Sequence, residues 1–453
     1  MIKAKAYING KFINKKNIVE IISPIDDKIV GTVPALDQDE INEAFCSAHK
    51  VFKPWSQTDY KKRIKYVNWF VKELSKNKQK IAAIIHQEIA KPLDQAIAEI
   101  VRTIAYIEKT IKTYEKIRVE VKQINEKNNT IYRVPLGVVL AISPFNYPIN
   151  LSLAKIIPAL IAGNTVVFKP ATNGSLVGAY FGKLFDEINL PAGVFNVVTG
   201  KGKDIGNALT TNPLINMISF TGSIKIGHQI AKQQHLIPII LELGGNDCAY
   251  VREDADIRLA VKHVAKGAFE FSGQRCTAIK RLIVHKNIKN RFLEELKISA
   301  KQITPVPLVN KQAANWVTKL LNDPHNHIIL GGKRQGNQFN NTIIETTTKS
   351  LAWNEEAFGP LLPIVYVDND EKAIKIINDT HYGLQNSLFT SDIAWAKKIA
   401  LTIESGSVNI NGPSSRGPDE FPFLGVKDSG FGVQGIEDAL ISMTRYLNVV
   451  NNE

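Results

Sequence analysis

The sequence predicts an α/β protein with parallel sheets, on the basis of three patterns along the chain. Residues 38–115 place apolar side chains three and four positions apart, as amphipathic helices do, and Asp37 and Ser56 are candidate helix caps. From residue 137 short apolar strands alternate with segments of helical length, and a similar block occupies residues 248–420. Such alternation predicts βαβ units, whose strands lie parallel.

The strands of the two blocks are short apolar runs. In the first block they are predicted at Gly137–Ser143, Thr165–Lys169, Phe195–Val198, Met217–Thr221 and Ile237–Leu243. In the second block they are predicted at Arg281–His285, Leu362–Val367 and Ser407–Asn411. Helical segments of roughly ten to fifteen residues separate the strands of the first block.

A hairpin and the C-terminal tail depart from this alternation. Ile117–Ile124 and Thr130–Val134 alternate apolar with polar residues on either side of the turn-like segment Asn125–Asn129. Tyr446–Val450 is another strand-like run near the end of the chain. Because strands at a sheet edge need partners for their backbone groups, we predict that the hairpin and the tail form one discontinuous element.

Length, composition and charge restrict the classes of function. With 453 residues, the chain is long enough for two or three domains, and 44% apolar with 22% charged residues is typical of a soluble globular protein. The net charge of +13 would attract anions such as phosphorylated metabolites, although a bias toward scattered lysines is the simpler explanation. No basic block is interleaved with aromatic residues, so we expect no nucleic-acid partner.

Cysteine usage and hydropathy bear on the compartment. Cys46, Cys248 and Cys276 are too widely spaced for a disulfide framework or a thiolate metal site, and the histidines lack metal-ligand spacing. We therefore expect no metal. The N-terminus lacks an apolar signal core, and the longest apolar stretch, Ile156–Phe168, is too short to cross a bilayer. These features predict a cytoplasmic protein with no membrane partner.

Cys276 and Glu242 are the first candidate catalytic residues. Cys276 follows Arg275, whose positive charge would favour the thiolate, and Gly273, which would let a substrate carbonyl approach the backbone. Glu242 lies in an otherwise apolar strand before two glycines and is a candidate base for a hydrolytic step. The alternatives are a buried structural cysteine and a strand glutamate that faces solvent.

Three further positions are candidates for binding. Asn146, in a proline-held loop between a strand and a helix, could present its amide to a developing oxyanion, although a plain turn has the same composition. Lys169 ends a strand, where α/β folds bind nucleotides, although exposed lysines are common there. Ser223 opens a helix whose N-terminus suits a pyrophosphate, or it simply caps that helix.

Together these segments resemble the aldehyde dehydrogenase family over nearly the whole chain, from Tyr7–Gly10 to the tail. The resemblance implies an α/β, aldehyde dehydrogenase-like fold. Its parts would be a Rossmann-type cofactor domain (1–116 and 136–247), an α/β catalytic domain (248–425) and a small β oligomerisation arm (117–135 and 426–453). Paired sheet edges in the arm favour a homodimer or a homotetramer.

The resemblance also implies roles for individual residues. The catalytic residues would be Cys276, Glu242 and Asn146, with Asn146 and the Cys276 backbone N–H forming an oxyanion hole. The cofactor-binding residues would be Ser143, Lys169, Thr172, Asn207, Gly222, Ser223, Leu243, Gly244, Glu356 and Phe358. Thr172 stands where NAD-preferring relatives often carry a glutamate that repels a 2′-phosphate, so NADP is the expected cofactor and NAD the alternative.

One branch of the family is more similar, through residues 99–103, 146–147, 274–277 and 415–423. In that branch the residues around the substrate would be Arg102, Asn146, Tyr147, Arg275, Thr277 and Arg416, and guanidinium groups match phosphate oxygens. The implied reaction is the NADP-dependent oxidation of a phosphorylated aldehyde, D-glyceraldehyde 3-phosphate, to 3-phosphoglycerate. It would proceed without inorganic phosphate, through a cysteine thiohemiacetal and a thioester. The alternatives are oxidation of succinic semialdehyde or lactaldehyde, and a non-redox thiol esterase.

Overall fold

We describe the fold from a computed structural model, in which the described residues are 1–124, 127–233 and 236–451. The chain divides into two compact units. The first comprises Met1–Leu241, Pro418–Pro422 and Val433–Glu453, and the second comprises Glu242–Gly417 and Phe423–Gly432.

The first unit begins with short strands that the sequence did not predict. They are β1 (Ile2–Lys3), β2 (Ala6–Ile8), β3 (Lys11–Ile13), β4 (Ile18–Ile22) and β5 (Ile29–Pro34). Strand β5 pairs in parallel with β1 and antiparallel with β4, and β2 pairs antiparallel with β3. Runs of two to six residues carry too little periodicity to be recognised without their partners.

The predicted helical segment forms four helices. They are α1 (Gln38–Gln57), α2 (Tyr60–Lys76), α3 (Lys78–Ile89) and α4 (Leu93–Ile117). Asp37 caps α1 in a capping box with Glu40, which confirms that prediction. The prediction of Ser56 as a cap is wrong: Ser56 lies inside α1, where its hydroxyl donates to the carbonyl of Lys53, and Asp59 caps α2.

A hairpin leads from the helices to the parallel sheet of the first unit. The hairpin strands are β6 (Val119–Ile124) and β7 (Lys127–Pro135), so β7 begins within the predicted turn, of which residues 125 and 126 lie outside the described residues. The elements that follow are β8 (Val138–Ile142), α5 (Asn150–Ala162), β9 (Thr165–Lys169), α6 (Ser175–Glu187), β10 (Phe195–Val197), α7 (Gly202–Thr210), β11 (Met217–Thr221), α8 (Ile224–Gln233) and β12 (Ile239–Glu242).

The sheet of the first unit has a strand order that reverses at β8. From β12 the order is β12, β11, β8, β9, β10, β2 and β3, and β8 is parallel to both β9 and β11. The chain therefore builds outward from β8 through β9 and β10, then crosses back to place β11 on the other side. In such sheets ligands bind in the crevice at the carboxyl ends of the strands next to this reversal.

The second unit contains another mixed sheet. Its elements are β13 (Asp247–Val251), α9 (Ile257–Phe269), β14 (Ile279–His285), α10 (Lys289–Gln302), α11 (Lys311–Leu321), β15 (His327–Leu330), β16 (Arg334–Gln335), β17 (Gln338–Phe339), β18 (Thr342–Glu345), α12 (Leu351–Asn354), β19 (Leu361–Val367), α13 (Asp370–Asn378), β20 (Gln385–Phe389), α14 (Ile393–Ala400), β21 (Ser407–Ile410) and β22 (Gly430–Phe431). Short 3₁₀ turns cover Glu270–Gly273, Lys286–Ile288 and Lys427–Ser429.

The larger sheet of this unit has the order β15, β18, β19, β14, β13, β20 and β21. Every neighbouring pair in it is parallel except β15 with β18. Apolar side chains of β14 and α9, among them Leu282, Val284 and Val264, are fully buried in its core. The predicted α/β block is therefore confirmed, with strands β13, β15, β18 and β20 of this sheet added to the predicted ones.

The tail returns to the hairpin. Helix α15 (Ile436–Ser442) precedes β23 (Thr444–Asn451), which pairs antiparallel with β7, for example Leu447 opposite Tyr132. This pairing confirms that the tail and the hairpin form one discontinuous element, while its role in oligomerisation stays a prediction. In the three described stretches of chain, no helix combines the length and the apolar character needed to cross a bilayer.

Candidate active site

Cys276 lies in a turn between the 3₁₀ segment and β14, and the backbone leading to it is strained. Phe271 and Ser272 have left-handed φ angles of 52° and 50°, followed by Gly273 at 68°. Each such non-glycine residue costs about 1–3 kcal/mol, so the surrounding contacts must hold it in place. The Ser272 hydroxyl does so by donating to the carbonyl of Val306 and accepting from its N–H, both at 2.8 Å.

Gly273 has a structural requirement beside the predicted one. A Cβ atom at this position would lie 2.4 Å from the carbonyl oxygen of Gly359. The glycine is therefore required because another segment of backbone approaches it, and the approach of a substrate carbonyl stays a prediction.

The thiol of Cys276 has a mixed electrostatic environment. Burial, above all, raises its pKa to about 12; the positive charge of Lys280 acts in the opposite direction, and the carboxylates of Glu242, Asp247 and Glu356 add to the rise. These surroundings therefore oppose ionisation of the thiol, which must lose its proton before it can attack as a thiolate.

The cation beside the thiol differs from the predicted one. One terminal guanidinium nitrogen of Arg275 donates to the carbonyls of Gly267 (2.6 Å) and Lys266 (3.3 Å) at the end of α9. The cation beside the thiol is Lys280, which was not predicted because the predicted strand began one residue after it. It could have been found as a charged residue next to the apolar strand run that follows the cysteine.

Lys280 connects the cysteine turn to a predicted cofactor-binding residue. Its Nζ atom donates to the carbonyl oxygen of Cys276 at 2.7 Å and lies 3.1 Å from Oε1 of Glu356. That same carboxylate oxygen accepts the N–H of Gly245 at 3.2 Å. The candidate nucleophile, Glu356 and the segment after Glu242 are thus brought into one network.

Glycine at position 245 is essential to this arrangement. A Cβ there would lie 2.7 Å from the carbonyl oxygen of Cys276 and 2.8 Å from a carboxylate oxygen of Asp247. The backbone after Glu242 and the backbone at the cysteine therefore lie in close contact.

The candidate base and a predicted substrate residue contact each other. The Glu242 carboxylate accepts from a terminal nitrogen of Arg416 at 3.0 Å, and the Arg416 guanidinium lies 4.7 Å from the ring centre of Phe423. Next to Glu242, the N–H of Leu243 donates to the carbonyl of Ser429 at 3.0 Å. The carbonyl of Thr277 accepts from the Ser414 hydroxyl.

In the first unit, the loop that carries Asn146 is held by a buried ion pair. Lys91 pairs with Glu99, and both side chains are only 2% exposed. Lys91 Nζ donates to the carbonyl oxygen of Asn146 at 3.0 Å, and Glu99 Oε1 accepts the N–H groups of Ile149 and Asn150, each at 2.9 Å. The loop is therefore fixed between its two prolines, at Asn146, and directly after Pro148.

The amide and the aromatic residue of this loop have defined neighbours. Asn146 Oδ1 accepts the N–H of Tyr147 at 3.1 Å, and the Tyr147 ring lies 3.7 Å from Lys91 Nζ. The sequence analysis assigned no role to Lys91 or Glu99. Glu99 could have been found because it lies on the apolar face of α4, next to the buried Ile100 and four residues before the buried Thr103.

Arg102, one turn further along α4, makes a two-bond ion pair. Its Nε and Nη2 atoms donate to the two carboxylate oxygens of Asp419 at 3.0 and 2.7 Å. Such a fork is the geometry that guanidinium groups use for carboxylates and phosphates alike.

A cleft of about 880 Å³ opens at the reversal of strand order in the first unit. Three predicted cofactor-binding residues, Lys169, Asn207 and Ser223, line it, together with the further lysines Lys203, Lys225 and Lys232. Lys169 donates to the carbonyl of Pro170 at 2.9 Å, and burial lowers its pKa to about 8. A positively charged cleft at a helix N-terminus suits phosphate groups.

The other predicted cofactor residues lie elsewhere. Ser143, just after β8, accepts from the Ser152 hydroxyl at 2.7 Å, and Thr172 is partly exposed in the loop after β9. Gly222 follows β11, and a Cβ there would meet the Phe220 ring at 2.5 Å. The rest belong to the second unit and are Leu243, Gly244, Glu356 and Phe358. No group of three or more metal-ligating side chains occurs among the residues described here.

Comparison with known proteins decides the family. The family model described as "Aldehyde dehydrogenase family" matches residues 12–449. The chain belongs to the aldehyde dehydrogenase family. The α/β, aldehyde dehydrogenase-like fold predicted from the sequence is thereby confirmed.

Individual relatives match this family member over nearly its whole length. An NADP-dependent glyceraldehyde-3-phosphate dehydrogenase of Streptococcus equinus is 39% identical and covers 98% of each chain. A lactaldehyde dehydrogenase of Methanocaldococcus jannaschii is 34% identical, covering 98% of this chain and 99% of the relative. The solved structure of NADP-dependent glyceraldehyde-3-phosphate dehydrogenase from Bacillus halodurans C-125, complexed with NADP, has a TM-score of 0.98 at 39% identity and full coverage of both chains.

Proposed function

We propose that this aldehyde dehydrogenase oxidises D-glyceraldehyde 3-phosphate to 3-phosphoglycerate with NADP and without inorganic phosphate. The observation that carries the chemistry is the close approach of Gly245 to the Cys276 carbonyl, which sets a thiol nucleophile beside the segment that follows Glu242. The name and 39% identity of the Streptococcus equinus relative support the substrate and the cofactor.

The cleft of the first unit supports NADP rather than NAD. Its lysines Lys169, Lys203 and Lys225 supply positive charge for phosphate oxygens. In the adjoining loop Thr172 offers a hydroxyl where a carboxylate would repel a 2′-phosphate. When bound, NADP supplies the acceptor for the hydride that leaves the substrate carbon.

Cys276 and Asn146 would carry the first half of the reaction. The sulfur forms a bond to the aldehyde carbon after its proton has passed to solvent water. The oxyanion accepts from the Asn146 amide and the Cys276 N–H, each contributing about 3 kcal/mol. Loss of hydride from the thiohemiacetal carbon leaves a thioester on Cys276.

Glu242 would carry the second half. Its carboxylate takes a proton from water as the water oxygen attacks the thioester carbon, and the carbon–sulfur bond breaks to release 3-phosphoglycerate and the thiol. In the structure Arg416 holds Glu242 by an ion pair. We propose that the substrate phosphate draws Arg416 away, which would release Glu242 for this work.

Five predicted residues would complete the substrate site. Arg102, Arg275 and Arg416 can donate two parallel hydrogen bonds to phosphate, and Tyr147 and Thr277 flank Asn146 and Cys276 in sequence. In the structure two Arg102 nitrogens donate to the Asp419 carboxylate, in the geometry that we propose for the substrate phosphate.

The setting of the enzyme is also a proposal. All three cysteines are free, which supports a reducing, cytoplasmic compartment. Strand β23 exposes Tyr446, Leu447, Val449 and Val450, which supports a homodimer or homotetramer joined through this sheet. We propose no nucleic-acid or membrane partner.

Two variants separate the steps of the reaction. Cys276→Ala should abolish turnover while NADP still binds, and Glu242→Gln should give a pre-steady-state burst of NADPH followed by stalled hydrolysis. Stopped-flow absorbance of NADPH measures both. Turnover of Glu242→Gln at the wild-type rate would refute the assignment of the base.

An aldehyde panel with NADP and with NAD, in phosphate-free buffer, tests the substrate. The 34% identical relative favours lactaldehyde as the second candidate. Activity on lactaldehyde or succinic semialdehyde, but not on the phosphorylated triose, would move the chain to that candidate. Thioester hydrolysis without any change in nicotinamide fluorescence would instead indicate a thiol esterase.

A further inference from the structure

Lys280 is a buried cation that has no place in the mechanism proposed above. It is the second residue of β14, and its side chain is 2% exposed. It donates to the Cys276 carbonyl at 2.7 Å and lies 3.1 Å from the Glu356 carboxylate. Burial of an ammonium costs several kcal/mol unless partners offset the cost, so its position beside the nucleophile calls for a function.

The charges that face Cys276 come from four segments of the second unit. Glu242 at the end of β12, Asp247 at the start of β13 and Glu356 after α12 are acidic, whereas Lys280 is basic. Each carboxylate disfavours the thiolate, although burial raises the pKa of Asp247 to about 7, so its charge is partly lost at neutral pH.

Of the neighbouring arginines, Arg416 pairs with Glu242, whereas Arg281 and Arg275 are directed to backbone carbonyls. Arg281 donates through Nε to the carbonyl of Asn246 at 2.8 Å and through its terminal nitrogens to those of Ile376 and Ile377. Arg275 donates to the carbonyls at the end of α9. Lys280 is therefore the basic side chain that both contacts the cysteine backbone and opposes the acidic groups.

We propose that Lys280 is a positioning residue that ties the cysteine turn to Glu356 and supplies the positive charge that lets the thiol ionise among three carboxylates. The inference rests on the proposed function only in taking Cys276 as the nucleophile. It does not depend on which aldehyde is oxidised.

The test is the rate at which iodoacetamide alkylates Cys276 in the full-length protein. The rate is followed by mass spectrometry of the Cys276 peptide between about pH 7 and 9, because exposed Cys46 also reacts. Well below the pKa the thiolate fraction rises tenfold per pH unit, so the rate reports the pKa. Lys280→Gln should lower the rate about tenfold or more at every pH.

Matched variants should change the alkylation rate of Cys276 in the direction that the charge of each side chain predicts. Glu356→Gln removes a carboxylate and should raise the rate, whereas Lys280→Arg keeps the charge and should recover most of the wild-type rate. Lys301→Gln, at an exposed position near the end of α10, should change nothing. Circular dichroism melting confirms that each variant folds.

Several outcomes would overturn the proposal. An unchanged or faster rate for folded Lys280→Gln would show that the lysine does not favour the thiolate. If Lys280→Gln does not fold, Glu356→Gln decides, because an unchanged rate there removes the charge balance on which the proposal depends. Since no aldehyde is used, a failed aldehyde panel leaves these results intact.

Discussion

The loop that carries Asn146 and the turn that carries Cys276 are held by the same device in different surroundings. In each, a buried lysine donates to the backbone carbonyl of the candidate catalytic residue, Lys91 at 3.0 Å and Lys280 at 2.7 Å. In each, the lysine also pairs with a glutamate. The two units thus fix a short segment of backbone in the same way.

The surroundings differ in charge and exposure. Glu99 is 2% exposed and also accepts two backbone N–H groups, so the Asn146 loop is held by a closed set of hydrogen bonds. Glu356 is 19% exposed, and two further carboxylates face the thiol. We infer that the Lys91–Glu99 pair, the first clamp, serves mainly to fix the geometry of the Asn146 loop. The Lys280–Glu356 pair, the second clamp, also balances the negative charges around the Cys276 thiol.

The largest expected effect is on stability and separates the two glutamates. Glu99→Leu leaves a buried ammonium without its carboxylate, so it should lower the free energy of unfolding by about 3–5 kcal/mol. Glu356→Leu should cost less, because solvent partly screens that pair. Urea unfolding followed by tryptophan fluorescence measures both.

A double variant controls for the apolar replacement. Lys91→Met with Glu99→Leu removes both charges and should be more stable than Glu99→Leu alone, because an apolar pair is cheaper to bury than a single charge. If Glu99→Leu and Glu356→Leu lowered the free energy of unfolding equally, the proposed difference between the two lysine–glutamate pairs would be wrong.

The next effect is on catalysis. Lys91→Met should lower kcat about tenfold through misplacement of Asn146, compared with about 10²–10³-fold for Asn146→Ala. The KM for NADP should not change, since Lys91 lies outside the lysine-lined cleft. Steady-state kinetics on the preferred aldehyde measures both constants.

A double variant tests whether the effect of Lys91 on kcat acts through Asn146. Lys91→Met in an Asn146→Ala background should have no further effect on kcat, because the positioned amide is already gone. A further tenfold loss would mean that Lys91 acts independently of Asn146.

The smallest expected effect is on NADP affinity and concerns a third buried lysine, Lys169. Its ammonium donates to the carbonyl of Pro170 and does not pair with a glutamate among the described residues. Burial lowers the pKa of Lys169 to about 8, so its ammonium is charged below that pH and neutral above it. Affinity for NADP should therefore fall as pH rises through 8, by up to about tenfold, since bound phosphate favours the charged form.

Fluorescence titration with NADPH between about pH 7 and 9 measures this dependence. Lys169→Arg keeps its charge over the whole range and should show a flatter curve. An identical slope in the two proteins would assign the pH dependence to another group.

Several parts of the site were accessible from the sequence because they are local. The two glycines after Glu242 and the position of Lys169 at the end of β9 follow from motifs and strand ends that each span a few residues. The sequence did not show that Arg275, the neighbour of Cys276, turns toward α9, or that burial raises the pKa of the Cys276 thiol.

By itself the sequence determined the βαβ alternation, the family and the candidates Cys276, Glu242 and Asn146, since periodicity and motifs are properties of adjacent residues. Only the tertiary structure decided which charges face them. Lys91 reaches the carbonyl of Asn146 across 55 positions, and Arg416 reaches Glu242 across 174. Such pairs form where segments that are distant in sequence meet, and no local sequence pattern predicts that contact.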